Sequence, residues 1–266
     1  MYSMQQNTQT INLPTLTIIG DSDVGKHLLL EKVSSSSQRK TTNMFNAQLT
    51  LQKINVENME ANVVLYEIHE KQGYKKLHPL YIQGSDGVII VADATKPSTI
   101  QHMMDWAASV RHTANDIPIV FVANKADEVT PSTFIFIQEQ LAKTAEIYDS
   151  EYFMVSARME KGIDAPFRTL LEQIKEYRNL IEEYANSGLK REKIKSVIKE
   201  RIRSEINEIE REIKSISQKS ASPDKLFILG KKISEAERKA CALLDTPSKI
   251  QLRKLKKELE EACSRS

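Results

Sequence analysis

The stretch GDSDVGKH, Gly20 to His27, follows the apolar run Leu16, Ile18, Ile19 and opens a helical pattern. It meets the phosphate-cradling pattern G-x-x-x-x-G-K-[ST] at Gly20, Gly25 and Lys26, and departs from it at the last position. There an imidazole, His27, stands where a hydroxyl would hold Mg²⁺. A short loop between a buried strand and a helix start can turn its backbone N–H groups toward an anion, so Gly20, Asp21, Ser22, Asp23, Val24, Gly25, Lys26 and His27 are candidate phosphate-site residues.

Working outward, short β-branched runs alternate with helical patterns up to about residue 178. Strands are predicted at Leu16–Ile19, Leu49–Val56, Val63–Ile68, Val88–Ala92, Ile117–Ala123 and Tyr152–Val155. Helices are predicted at Lys26–Ser34, Thr99–His112, Pro131–Tyr148 and Ala165–Tyr177. VIIVAD and IPIVFVAN are nearly continuous in apolar character, as strands covered on both faces are. The fold class read from this is α/β, with a doubly wound, mostly parallel, six-stranded sheet. ENMEAN, between the second and third runs, suits an antiparallel hairpin.

After residue 178 the strand runs stop, and Lys, Glu, Arg and Ile dominate. Ile202, Ile206, Ile209, Ile213 and Ile216 recur at heptad spacing. SASPD (220–224) breaks that helix, with Ser222 as a potential cap and Pro223 at the first helical position. DTPSK (245–249) breaks the next, and Leu252, Leu255 and Leu259 share one face after it. The expected organisation is a flexible N-terminus at 1–13, an α/β domain at 14–178 and an all-α extension at 179–266. The extension reads as three helices, packed on themselves as a bundle or paired with a partner as a coiled coil.

The chain has 266 residues, with 38 basic against 36 acidic side chains and a formal charge of +2, a balance that does not mark a nucleic-acid binder. Cys241 and Cys263 lie far from the motifs and suggest neither a disulfide framework nor a zinc site. MYSMQQNTQTINLP lacks the basic and apolar regions of a secretory signal, and no run reaches the roughly 18 apolar residues of a membrane span. A cytoplasmic protein is expected.

NKAD, Asn124 to Asp127, closes the run IVFVA and matches the guanine-reading pattern N-K-x-D. Guanine presents a ring N–H beside an exocyclic amine, and one carboxylate, that of Asp127, can accept both. Adenine presents no such pair of donors. Lys125 can lay its aliphatic stem along the purine, and Asn124 can tie the loop to its neighbours. Ser156-Ala157-Arg158 follow the strand YFMV, where a backbone N–H could cap the guanine oxygen.

The segment LYEIHEKQGYKKLHPLYIQGSDGVIIVADAT, residues 65–95, carries a resemblance to the Ras superfamily of small GTPases, and to the Rab family most closely. The Rab run beginning W-D-T-A-G-Q-E aligns without a gap: Tyr66 replaces the Trp, Glu67 the Asp, Glu70 the Gly and Lys71 the Gln. Tyr74, Tyr81, Gly84 and Gly87 keep the family's character, Trp106 stands in the following helix, and GDSDVGKH resembles the Rab form G-D-S-G-V-G-K-[ST]. The resemblance covers about residues 14–178. It implies a small GTPase fold, GTP or GDP as ligand, and Mg²⁺ held by a threonine of the first switch, for which Thr42 is the better placed of Thr41 and Thr42. Glu67 is the other candidate metal ligand.

The departures from the family bear on its chemistry, which is positioning plus electrostatics on a phosphoryl group. Imidazole is a poor ligand for hard Mg²⁺, so His27 implies weak or altered metal binding. Asp23, in place of a glycine, puts a carboxylate near the phosphates. Glu70 replaces the glycine that senses the γ-phosphate, and Lys71, which has no acceptor, cannot orient an attacking water by accepting its proton. No catalytic residue is assigned, and hydrolysis is expected to be weak or absent.

The leading expectation is therefore a guanine-nucleotide-binding protein acting through protein contacts, in vesicle trafficking or as a mimic of a host GTPase. In the latter case the cytoplasm would be a host cell's. The alternative is a nucleotide-free scaffold whose helical tail binds a partner, and a third is an active GTPase using unusual residues or a partner's arginine. Effectors or regulators would meet the switch-like regions and the tail. The terminal CSRS, with Cys263 after basic LRKLKK, lacks the aliphatic residues of a prenylation box, so lipidation is not expected even if the chain associates peripherally with membranes.

Overall fold

The strand that precedes GDSDVGKH lies at the centre of one sheet. In this computed structural model the described residues are 13–33, 39–44, 47–68, 82, 84–114, 117–184, 187–216, 223–243 and 246–263. The elements run β1 (Thr15–Gly20), α1 (Lys26–Val33), β2 (Arg39–Met44), β3 (Ala47–Val56), β4 (Met59–Ile68), β5 (Gly87–Asp93), α2 (Pro97–Thr113), β6 (Ile119–Asn124), α3 (Pro131–Ile147), β7 (Glu151–Met154), α4 (Asp164–Glu182), α5 (Arg191–Ile216), α6 (Pro223–Ala242) and α7 (Thr246–Cys263).

The sheet order is β2-β3-β4-β1-β5-β6-β7. β4, β1, β5, β6 and β7 are mutually parallel, and β3 runs against β4 and β2. The sheet thus has seven strands where the sequence predicted six. The extra strand, RKTTNM, has no apolar alternation to announce it. It lies at the sheet edge, held by its pairing with β3. Its neighbours 34–38 lie outside the described residues, as do residues 1–12 of the expected flexible N-terminus. The β3–β4 hairpin turns at Glu57 and Asn58, both at positive φ (48° and 66°). That is the type I′ geometry, whose twist matches the flanking strands.

The two-residue period of the strands sorts their side chains into two cores. Ile18, Ile89, Val91, Val120 and Val122 face α1 and α4, meeting Leu29, Leu30, Phe167 and Leu170. Ile19, Ile90, Ile119 and Phe121 face α2 and α3, meeting Met103, Trp106, Ile137 and Leu141. Each large apolar side chain so buried contributes about 1.5–3 kcal/mol relative to exposure.

A third core belongs to the helical extension. Ile194, Ile198, Ile202, Ile206, Ile209 and Ile213 form the buried face of α5, against Leu229 and Ile233 of α6 and Leu252, Leu255 and Leu259 of α7. From Ile202 to Ile213 the isoleucine seam is thus satisfied within the chain, as a three-helix bundle, while the side chain of Ile216 lies outside the described residues. Leu180 of α4 joins this core while Phe167 and Leu170, earlier in α4, join the first. One helix therefore serves both the sheet and the bundle, running through residue 178 to Glu182. No helix among the described residues is long and apolar enough to cross a membrane.

Candidate nucleotide site

The carboxyl ends of β1, β5, β6 and β7 converge on one edge, where open α/β sheets place their ligand sites. At that edge Gly20 pairs with Val91, Asp93 with Asn124, and Ala123 with Met154. Two glycines let the phosphate loop settle there. Gly20 (φ 141°) lies so close to β5 that a Cβ would stand 2.1 Å from the Val91 carbonyl oxygen. At Gly25 (φ 90°) a Cβ would strike the Asn124 amide at 2.4 Å.

That amide ties the loop to the base-reading segments. Asn124 Nδ2 donates to the Val24 carbonyl at 3.0 Å, and its Oδ1 accepts the Ala157 N–H at 2.9 Å. Asn124 is 2 % exposed, so both bonds are shielded. The Ala157 N–H is thereby used within the protein, and serves the joint between the two loops. Lys125, in the left-handed region at φ 63°, sends its Nζ to the Asp23 carbonyl at 2.8 Å and to Asp93 Oδ2 at 2.6 Å. N-K-x-D and the phosphate loop are thus one bonded unit.

Asp127 lies on a 3₁₀ turn, Ala126–Glu128, beside the Ser156–Arg158 loop. The Ser156 hydroxyl, and then the Arg158 guanidinium, hold its carboxyl below the usual carboxylate range against the opposing effect of burial. Arg158 reaches Asp127 Oδ2 at 2.8 Å and Glu128 Oε1 at 3.4 Å. Asp127 is therefore an ionised acceptor, the state that reading guanine requires.

Lys26, 4 % exposed, donates to the carbonyls of Gly20 at 3.0 Å and Asp21 at 2.5 Å. Its ammonium stands over the loop, ready for a phosphate to take the place of those carbonyls. Asp23 occupies the left-handed region at φ 62°, a conformation natural to the glycine it replaces and tolerated by aspartate. Its carboxylate is exposed, as is Ser22, while Val24 is buried under the loop.

The residues considered for the Mg²⁺ site lie on different elements, α1, β2 and β4. His27 is half-buried in the first turn of α1. Thr42 is exposed and sits in the β2 ladder opposite Leu49, which pairs onward with Tyr66. Three strand spacings, roughly 14 Å, separate β2 from β1. The backbone of Glu67 pairs with Gln48 in β4, but its side chain is outside the described residues, as are Glu70, Lys71, Tyr74 and Tyr81 entirely. No cluster of three His, Cys, Asp or Glu that could hold a metal forms among the described residues. Among the described residues, the donors around the loop and Asp127 suit a guanine nucleotide.

Two contributors, Asp93 and His102, were missed in the sequence, and Trp106 was noted there only for its likeness to the family. Asp93 ends β5 fully buried, pairs with Lys125 and accepts from Thr95 N and Oγ1 at 2.9 and 2.6 Å. His102 and Trp106 of α2 both reach Asp21. A carboxylate closing the all-apolar run VIIVAD was the available signal for Asp93.

The family model described as the Ras family matches residues 15–176. Among curated relatives, the chain is similar to the Ras-related protein RABA1c of Arabidopsis thaliana, 27 % identical over 164 residues, which are 60 % of this chain and 74 % of that protein. It is also similar to the Ras-related protein Rab-21 of Homo sapiens, 25 % identical over 175 residues, 65 % of this chain and 77 % of that one. RABC2b of Arabidopsis thaliana is 27 % identical over 175 residues, 65 % of this chain and 84 % of that one.

Proposed function

The chain belongs to the Ras family, as a Rab-like GTP-binding protein, and from that premise we propose that it holds guanine nucleotide with little or no turnover and acts through protein contacts. The observation that carries this is the joint made by Asn124 and Lys125, which binds base-reading and phosphate-cradling segments into one preorganised surface. Asp127 selects guanine, Lys125 lies along the base, and Lys26 with the loop N–H groups receives the phosphates. When bound, Mg²⁺ would neutralise phosphate charge, but with His27 in the hydroxyl's place it is held weakly. Glu70 and Lys71 stand where the family senses the γ-phosphate and orients water, which supports slow hydrolysis and a weak response to GTP over GDP.

Effectors or regulators would be met by the switch-like segments and the helical bundle. The bundle exposes Phe227 (66 %) and Ile228 (54 %) side by side on α6, a feature that favours a protein contact. A role in vesicle trafficking, or in mimicry of a host GTPase, agrees with the Rab likeness and the added bundle. Nucleic acid is not a partner on this reading.

A second reading is a scaffold that holds no nucleotide. It is favoured by the way the protein satisfies its own ligand-facing charges, Lys26 on loop carbonyls and Arg158 on Asp127. Denaturing the purified full chain and identifying any released nucleotide by chromatography decides between the two, supported by calorimetry with GDP, GTP and ATP. Bound or titratable GDP, no ATP binding and negligible phosphate release over hours are expected. Turnover at an ordinary small-GTPase rate refutes the proposal, and failure of GDP and GTP to bind at high micromolar concentration supports the scaffold.

A further inference from the structure

Asp21 is the second residue of the phosphate loop, yet its side chain is engaged by α2. Trp106 Nε1 donates to Oδ1 at 2.9 Å, and His102 Nδ1 lies 2.6 Å from Oδ2. A carboxylate only accepts, so Nδ1 carries the proton. His102 and Trp106 are four residues apart, one turn along a single face of α2. Trp106 is 3 % exposed, and its indole has one donor, which burial would make costly to leave unpaired. Its acceptor is the loop. On the main-chain side of the same residue, the Asp21 carbonyl accepts the Lys26 ammonium.

We propose that Asp21 is a positioning residue joining α2 to the phosphate loop: His102 and Trp106 fix the loop through its carboxylate, and filling of the loop is reported to α2 through its carbonyl. This rests on the reading that the loop takes the phosphates of a nucleotide. A phosphate competes with the Gly20 and Asp21 carbonyls for Lys26. When the ammonium turns to the anion, the Asp21 peptide loses its donor and reorients. Its side chain, still held by two donors, carries that change to the indole. α2 then becomes the element that senses occupancy, through contacts separate from the γ-phosphate sensor that Glu70 replaces.

The test uses the full chain, whose single tryptophan makes its emission a signal of Trp106 alone. GDP affinity is measured by calorimetry, and emission is recorded in the same samples with and without GDP. In ligand-free protein, Asp21→Ala is expected to shift the emission maximum. With GDP, the wild-type emission should move, Asp21→Ala should bind about tenfold more weakly, and Trp106→Phe, which keeps a ring and loses the donor, about threefold more weakly. His102→Gln, retaining a donor, should bind more tightly than His102→Ala, a rescue that loss of packing alone does not give. Should Asp21→Ala fail to fold, the Trp106→Phe and His102 variants carry the test. Unchanged ligand-free emission in Asp21→Ala overturns the strut whatever the ligand. GDP binding with unmoved Trp106 emission and undiminished affinity in the variants overturns the proposal while leaving the nucleotide reading intact. No GDP binding by the wild type at millimolar concentration removes that reading, and the reporting role with it.

Discussion

Asp93 sits at the end of β5 with its side chain out of solvent, and burial alone would push its pKa up. Hydrogen bonds from Lys125 and Thr95 outweigh that effect and hold the carboxyl below its usual value. The unfolded carboxyl titrates near 4, so as pH falls the unfolded chain takes the proton first. The stabilisation is complete above that value and is lost as pH falls through the lower native one. Asp93→Asn, nearly isosteric, is expected to cost about 1–3 kcal/mol at pH 7, and its deficit should close in acid. Urea unfolding of both proteins at pH 7 and pH 3 measures this, and a deficit equal at both refutes it. Asp127 acts on the ligand instead: Asp127→Ala is expected to weaken GDP about tenfold or more by calorimetry, since a bond to a charged acceptor is worth roughly 1.5–3 kcal/mol. Undiminished affinity would remove Asp127 from the base site. Asn124, Lys125 and Asp127 could be named as candidates because their pattern lies within four consecutive letters. Asp93 and His102 were not, because their partners stand 32 and 81 positions away and only the fold brings them together.

The elements around the phosphate loop were legible for a related reason. Strands buried on both faces write themselves as unbroken apolar runs, and the positions of β5 and β6 along the chain could be read from them. β2 carries no such signal: five polar residues and Met44 at a sheet edge are held by backbone pairing with β3, which composition does not encode. That strand takes Thr42 away from the loop, so metal affinity should depend chiefly on the loop–α1 junction. There Asp23 adds an exposed carboxylate and His27 withholds a hydroxyl. Asp23→Gly with His27→Ser, by relieving repulsion of the phosphates and returning an oxygen ligand, is expected to tighten GDP and increase its dependence on Mg²⁺. Hydrolysis should stay negligible in that double variant, because Glu70 and Lys71 are untouched. Calorimetry with and without Mg²⁺, together with phosphate release, checks both halves. Equal Mg²⁺ dependence before and after would mean the junction does not govern the metal.

Across the whole molecule, the question is whether the bundle is an autonomous unit or the closing piece of one core. Among the described residues the two cores on the sheet draw on residues 16–174, and the bundle has its own. What joins them is α4, which packs along α6 and carries Leu180 into the bundle core with Tyr177 and Ile181 packed against it, together with ion pairs from Arg201 of α5 to Glu183 and from Lys249 of α7 to Asp149. Lys249 Nζ stands 2.8 Å from Asp149 Oδ1, with the side chains 5 % and 12 % exposed. Beside them, a cleft of about 690 Å³ lined by Glu172, Glu176, Arg238 and Cys241 opens between α4 and α6. A seam with a polar cleft in it is a feature of units that can part. We therefore propose that a chain ending at residue 184 folds by itself. Its sheet cores are intact, Asp149 regains water when Lys249 leaves, and the cost is re-exposure of the apolar turn from Tyr177 to Ile181. Lys249→Ala in the full chain should be the more awkward change, because the bundle still shields Asp149 but no longer supplies its cation, at about 1–3 kcal/mol. Thermal unfolding of the truncated chain should show a cooperative transition, moved down by several degrees as expected for the loss of a few contacts, and it should keep whatever nucleotide affinity the full chain has. Insoluble protein, or melting without a cooperative transition, would mean that α4 cannot hold the sheet without the bundle and that the chain is one folding unit.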